Sequence, residues 1–125
     1  MGVVLDAGAL VAIDRKDRRV GALLRVAQAS RIPVRTSAGA VAQVWRNGAR
    51  QANLARALAG VDVVAINRRV GRQIGELLGH SKTADVVDGH VALLTGPGDT
   101  VLTSDTADLQ HLLATHKVRA TVEKV

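Results

Sequence analysis

The chain has 125 residues, the size of one domain, which is enough to bury an apolar core without staples. It has no cysteine, which excludes a disulfide framework and any thiolate metal site. Its formal charge is +6, and the cations are thirteen arginines against four lysines; arginine suits bidentate phosphate contacts, although a GC-rich coding sequence gives the same bias.

Val3-Val4-Leu5 is a short buried-strand pattern, ended by Asp6-Ala7-Gly8. Asp6 and Asp14 interrupt any leader-like apolar run, and no uncharged stretch approaches a membrane span. The expectation is therefore a soluble, cytoplasmic protein with residues 1–125 as one domain. Ala9–Asp14 reads as a brief helical turn, and Val20–Ala29 as a helix with Leu23, Leu24 and Ala27 along one stripe. Ile32–Val34 is a second strand, followed by Thr36 and Ser37 as capping residues for a helix through Val41, Val44 and Trp45. Asn47-Gly48 closes that helix, and Gln51–Leu58 forms the next.

Val61–Ile66 is a third strand, and Arg69–Leu78 a helix stopped by Gly79. Ala84–Leu94 is a helix apolar on most sides, hence central. After the turn at Gly96-Pro97-Gly98-Asp99 come a fourth strand at Thr100–Thr103, a helix at Thr106–Ala114 and a last strand at Val118–Val122. Strands alternating with helices imply an α/β fold with a parallel sheet covered by helices. Sites in such sheets form at the carboxyl ends of the strands, at a topological switch point.

The charges are segregated. Arg15 to Arg72 contains thirteen basic residues against Asp17 and Asp62 alone, while the remainder holds four basic and nine acidic residues. A polyanion-binding surface beside a cation-binding pocket explains this separation, and so do ordinary charged helix faces. Asp6 and Asp105 each follow a strand directly, where helix capping and ligation are both open readings. Asp85 and Asp88 share a helix face; Asp85 either caps or ligates, whereas Asp88 lies too far into the expected helix to cap it, in an apolar setting. Asp108 sits in the first turn after Asp105, where the helix dipole favours an acid. Converging carboxylates with no cysteine favour Mg²⁺ or Mn²⁺ over zinc. The histidines show no metal-ligand spacing, and His90 is expected to pack or lie on the helix face. Trp45, the sole aromatic, is expected in the core or at a dimer face.

The segments Val4-Leu5-Asp6-Ala7-Gly8-Ala9-Leu10, Val86-Val87-Asp88-Gly89-His90-Val91-Ala92 and Leu102-Thr103-Ser104-Asp105-Thr106-Ala107-Asp108-Leu109 resemble the motifs of PIN domains, in their usual order. Their spacing is similar to that of the toxins of VapBC-type toxin–antitoxin modules, essentially from end to end. The resemblance implies a PIN-like three-layer sandwich with a central, mostly parallel sheet of four to five short strands. It also implies a metal-dependent endoribonuclease that is usually dimeric and is neutralised by a cognate antitoxin. By motif position Asp6, Asp88 and Asp105 would hold Mg²⁺ or Mn²⁺, with Asp85 an added ligand and Thr103 or Ser104 giving hydrogen-bond support. Gln43 stands where the family usually has a glutamate, and a neutral amide there lowers metal affinity. The alternative is accordingly a weakened or inactive PIN-like module that binds RNA or an antitoxin-type partner. Arg46 and Arg50 are candidates for contacts to RNA phosphates, or else solvated helix arginines.

Overall fold

In the computed structural model, which describes residues 1–125, five short strands form a single parallel sheet in the order β3-β2-β1-β4-β5. The strands are β1 (Val3–Leu5), β2 (Val34–Ser37), β3 (Asp62–Val64), β4 (Thr100–Thr103) and β5 (Thr121–Lys124). Val4, Leu5, Val101 and Leu102 are all buried, as expected for central strands covered on both faces. The sequence order reverses beside β1, where β2 pairs on one side and β4 on the other. Leu5 lies opposite both Thr36 and Leu102, so the carboxyl ends of the three central strands are level.

The helices are α1 (Ala7–Asp14), α2 (Arg18–Ala29), α3 (Ala38–Val44), α4 (Ala52–Leu58), α5 (Arg68–Ser81), α6 (Val86–Leu94) and α7 (Thr106–His116), with one 3₁₀ turn at Gly48–Arg50. Helix α1 packs on α2, α3 and α4, while α5, α6 and α7 pack on one another, giving the three-layer PIN-like arrangement around the sheet. The core is aliphatic throughout, with Leu5, Leu10, Leu54, Ile74, Leu102, Leu109 and Leu112 fully enclosed. Trp45 is not in it: the indole is 38% exposed and lies against Gly48.

Several boundaries differ from the pattern-based ones for identifiable reasons. The second strand begins at Val34, two residues past Ile32, because Ile32 N–H is taken by the Ala27 carbonyl at the end of α2. Thr36 is therefore a strand residue, donating its hydroxyl to Leu5 O at 2.7 Å, and Ser37 alone caps α3. Gly79 does not stop α5, which runs on to Ser81 and ends with Lys82 in the left-handed region at φ 58°. The central helix starts at Val86 with Asp85 as its cap, so Asp88 lies in its first turn, not deep inside it. The last strand starts at Thr121, since Val118 N–H still bonds to Leu113 O at the end of α7.

Candidate functional site

Three loops converge at the carboxyl ends of β1, β2 and β4, and each opens a helix. Asp6 follows β1 and caps α1, its Oδ1 accepting the Ala9 amide at 2.8 Å, while its own N–H donates to Leu102 O across the switch point. Asp105 follows β4 and caps α7, accepting the Asp108 amide at 3.2 Å. Asp85 caps α6, accepting the Asp88 amide at 2.9 Å. Capping thus accounts for one oxygen of each of these three carboxylates.

Asp88 caps nothing. Its carboxyl is pushed up to about 6, by burial first and then by Asp85, Asp6, Asp108 and Asp105 in that order. Those four neighbours define the cluster: three helix N-termini bring five aspartates together, with no salt bridge to any of them. Asp6, only 3% exposed, is also raised by burial. The Thr103 hydroxyl and the amides of Ala9, Ser104 and Gly8 face it and act in the opposite direction; of these, the Ala9 amide is the one at full hydrogen-bond geometry. Thr103 Oγ1 accepts the Asp105 amide at 2.9 Å, which leaves its proton free to turn toward Asp6. Asp108 is exposed and raised by its contact with the Asp105 carboxylate.

A cluster of uncompensated carboxylates suits a hard dication, whose charge would relieve the repulsion. Their side chains are not drawn in around a common point, however: no three acids, histidines or cysteines stand close enough to grip an ion as they are. Side-chain rotation is needed before these carboxylates could share an ion.

Gln43 is exposed in the last turn of α3 and makes no hydrogen bond that ties it to the aspartates. Arg46 Nη1 folds back onto the carbonyls of Ala42 and Trp45, at 3.0 and 2.7 Å, closing the end of α3. Arg50 lines a hollow with Lys16 and Arg56 beyond the far end of α1. Ser104 is exposed, and its side chain abuts Gly8, where a Cβ would collide with it.

One partnership had no cue in the sequence. His90 is 1% exposed, and its Nδ1 lies 2.6 Å from Ser37 Oγ, which also accepts the Gly39 amide at 3.0 Å. The pair fastens the middle of α6 to the cap of α3 beside Asp6. Burial lowers the imidazole's pKa and so keeps it neutral, and its Nε2 has no partner. The repeated Asp-x-x-Asp spacing at Asp85/Asp88 and Asp105/Asp108 was the available hint that Asp108 joins the cluster.

No family model and no curated protein matches the sequence. Among solved structures, the chain is similar to VapBC2 from Rickettsia felis, determined bound to a DNA fragment from their promoter. The similarity has a TM-score of 0.69 at 14% identity and covers 100% of this chain and 99% of that chain. The fold is thus of the PIN type found in VapBC proteins, as the three motifs led us to expect. No helix is long and apolar enough to cross a membrane.

Proposed function

We propose that this single domain is a ribonuclease, the toxin of a VapBC-type module, hydrolysing RNA phosphodiester bonds at the aspartate cluster. The observation that carries the reading is the gathering of five aspartates at three helix starts with no basic side chain paired to them, a setting that pushes the Asp88 carboxyl up to about 6. Asp6, Asp88 and Asp105 would hold Mg²⁺ or Mn²⁺, with Asp85 as an added ligand. The ion, when bound, supplies Lewis acidity toward water and phosphate oxygen and neutralises developing charge.

The chain's own residues do the rest. The caps at Asp6, Asp85 and Asp105 hold three carboxylates at the starts of helices, each by one oxygen. Thr103 hydrogen-bonds the backbone of Asp105 and faces Asp6, setting the two aspartates relative to each other, and Ser104 shapes the same loop. In the reaction water oxygen adds to phosphorus and one phosphorus–oxygen ester bond breaks. The two new ends are a phosphate monoester and a hydroxyl.

A cognate antitoxin and a homodimer belong to the same reading. The apolar side chains of Val63, Ile66 and Val86, each more than a third exposed, offer surface for either contact. A second reading, an inactive module that binds RNA or such a partner, is favoured by one observation: Gln43, at the family's usual glutamate position, is a neutral amide not bonded to the cluster.

Mn²⁺ titration separates the two. Followed by electron paramagnetic resonance on metal-free protein, the wild type should bind saturably. Asp88→Asn should bind at least about tenfold more weakly, a loss of roughly 1.4 kcal/mol. Gln43→Glu should tighten binding if that position faces the ion. Failure of the folded wild type to bind Mn²⁺ would decide for the inactive module.

A further inference from the structure

A cleft of about 580 Å³ lies between α2 and α4, floored by Ile13, Leu24 and Ala57. Its rim is cationic: Lys16 at the end of α1, Arg18 and Arg25 on α2, and Arg56 on α4. The cleft does not stop there. Lys16, Asn53 and Arg56 also line an adjoining hollow with Arg50, and Gln28 continues into another with Arg31 and Arg35. The result is a continuous band of seven cations.

Three acids border this band, and only Asp62 makes an ion pair within it. Asp17 caps α2 by accepting the Val20 amide at 2.9 Å, Asp14 faces the Gln51 side-chain amide at 3.4 Å, and Asp62 stands 4.0 Å from Arg35. The molecule's only other ion pair joins Arg19 to Glu123, away from the cleft. Lys16, Arg18, Arg25, Arg31 and Arg50 therefore have no acidic partner. Most of these cations are arginines, whose planar forks match phosphate oxygens, and the carboxamides of Gln28 and Asn53 between them can hydrogen-bond sugar or base edges.

The band is also placed to serve the aspartates. Helix α1 starts directly after its cap Asp6 and ends at Asp14, which lines the hollow shared with Lys16 and Arg56. Eight helical residues span about 12 Å, so one extended strand can reach from the band to the carboxylates.

We propose that this α2–α4 band holds the backbone of single-stranded RNA as a second contact surface, one helix length from the aspartate cluster. The choice of RNA over another polyanion rests on the ribonuclease reading. Tracking the phosphates in this way fixes affinity and register without reading sequence.

The test is binding of a 2′-O-methyl oligouridine, which cannot be cut by 2′-hydroxyl chemistry, in EDTA over a range of salt concentrations. Replacing Lys16, Arg25 and Arg56 by glutamine together should weaken binding at least about tenfold at low salt. It should also reduce the slope of log K against log salt by about 2, because each single-strand phosphate that a cation neutralises contributes about 0.7. A charge-matched triple outside the band, Lys82→Gln, Lys117→Gln and Arg119→Gln, should leave the slope nearly unchanged. Equal losses in the two triples would reduce the effect to net charge and overturn the proposal. So would an unchanged slope in the band triple, the outcome if an acidic protein were the true occupant, and so would a wild type that binds no oligonucleotide. If the band triple behaves as stated but the wild type cuts no RNA with Mn²⁺, the ribonuclease reading fails and the binding surface stands.

Discussion

Asp88 in its proposed role has a cost to the fold that can be measured. Its folded pKa of about 6 lies above the ordinary value of 3.8, so the folded chain takes up more protons than the unfolded chain between those limits. The metal-free protein should therefore lose stability as pH rises from about 4 to about 6, and carry the full penalty above that window. Neutralising the group by Asp88→Asn should raise the melting temperature at pH 8 in EDTA, with the gap closing by about pH 4. For a half-buried group, solvent screening reduces the gain to the order of 1 kcal/mol, a few degrees for a domain of this size. Identical melting temperatures at pH 8 would mean that neither burial nor the neighbouring carboxylates penalise the charged Asp88 in solution. Strand ends and an apolar context draw attention to Asp6, Asp88 and Asp105 in the sequence, but only the resemblance to PIN motifs favours ligation over capping there. The first-turn position of Asp88 could not be read there, because it depends on Asp85 taking the cap, and Ala84 is an equally good helix start by propensity.

At the scale of elements, the sequence shows its strand–helix alternation well and its helix ends poorly. Helices α1, α2, α5 and α7 all run into a basic residue with positive φ, namely Lys16, Arg31, Lys82 and Lys117, where glycine is the usual choice. A cation there complements the helix dipole, but lysine and arginine announce no stop, and so Gly79, which is ordinary helix interior, looked like the terminator. The joint between α3 and α6 was also hidden, because Ser37 and His90 are 53 positions apart and only the folded chain brings them together. Ser37→Ala removes the cap from the Gly39 amide and the partner from the buried imidazole at once. The expected cost is about 2 kcal/mol, read from urea denaturation at neutral pH. A cost below about 0.5 kcal/mol would show that the joint does not hold these helices.

For the whole molecule, one topological fact organises the rest. A reversal of strand order such as the one beside β1 is where parallel sheets are expected to form a crevice, at the carboxyl ends of the strands, and the chain puts aspartates at the helix starts there. The charge separation visible in the sequence becomes spatial, with acids around that crevice and arginines along α2 and α4 at the far end of α1. The parallel α/β class followed from patterning, whereas the all-parallel order of five strands and the uncapped carboxylate oxygens needed the fold. The central claim is that this crevice cuts RNA with a divalent ion. It is tested most directly by incubating a structured RNA mixture with the purified protein in Mn²⁺ and in EDTA, beside Asp6→Asn and Asp88→Asn. The account predicts cleavage in Mn²⁺ only, reduced at least about a hundredfold in either variant while their circular dichroism stays that of the wild type. Intact RNA after incubation with folded wild-type protein in Mn²⁺, or undiminished cleavage by both variants, would contradict it.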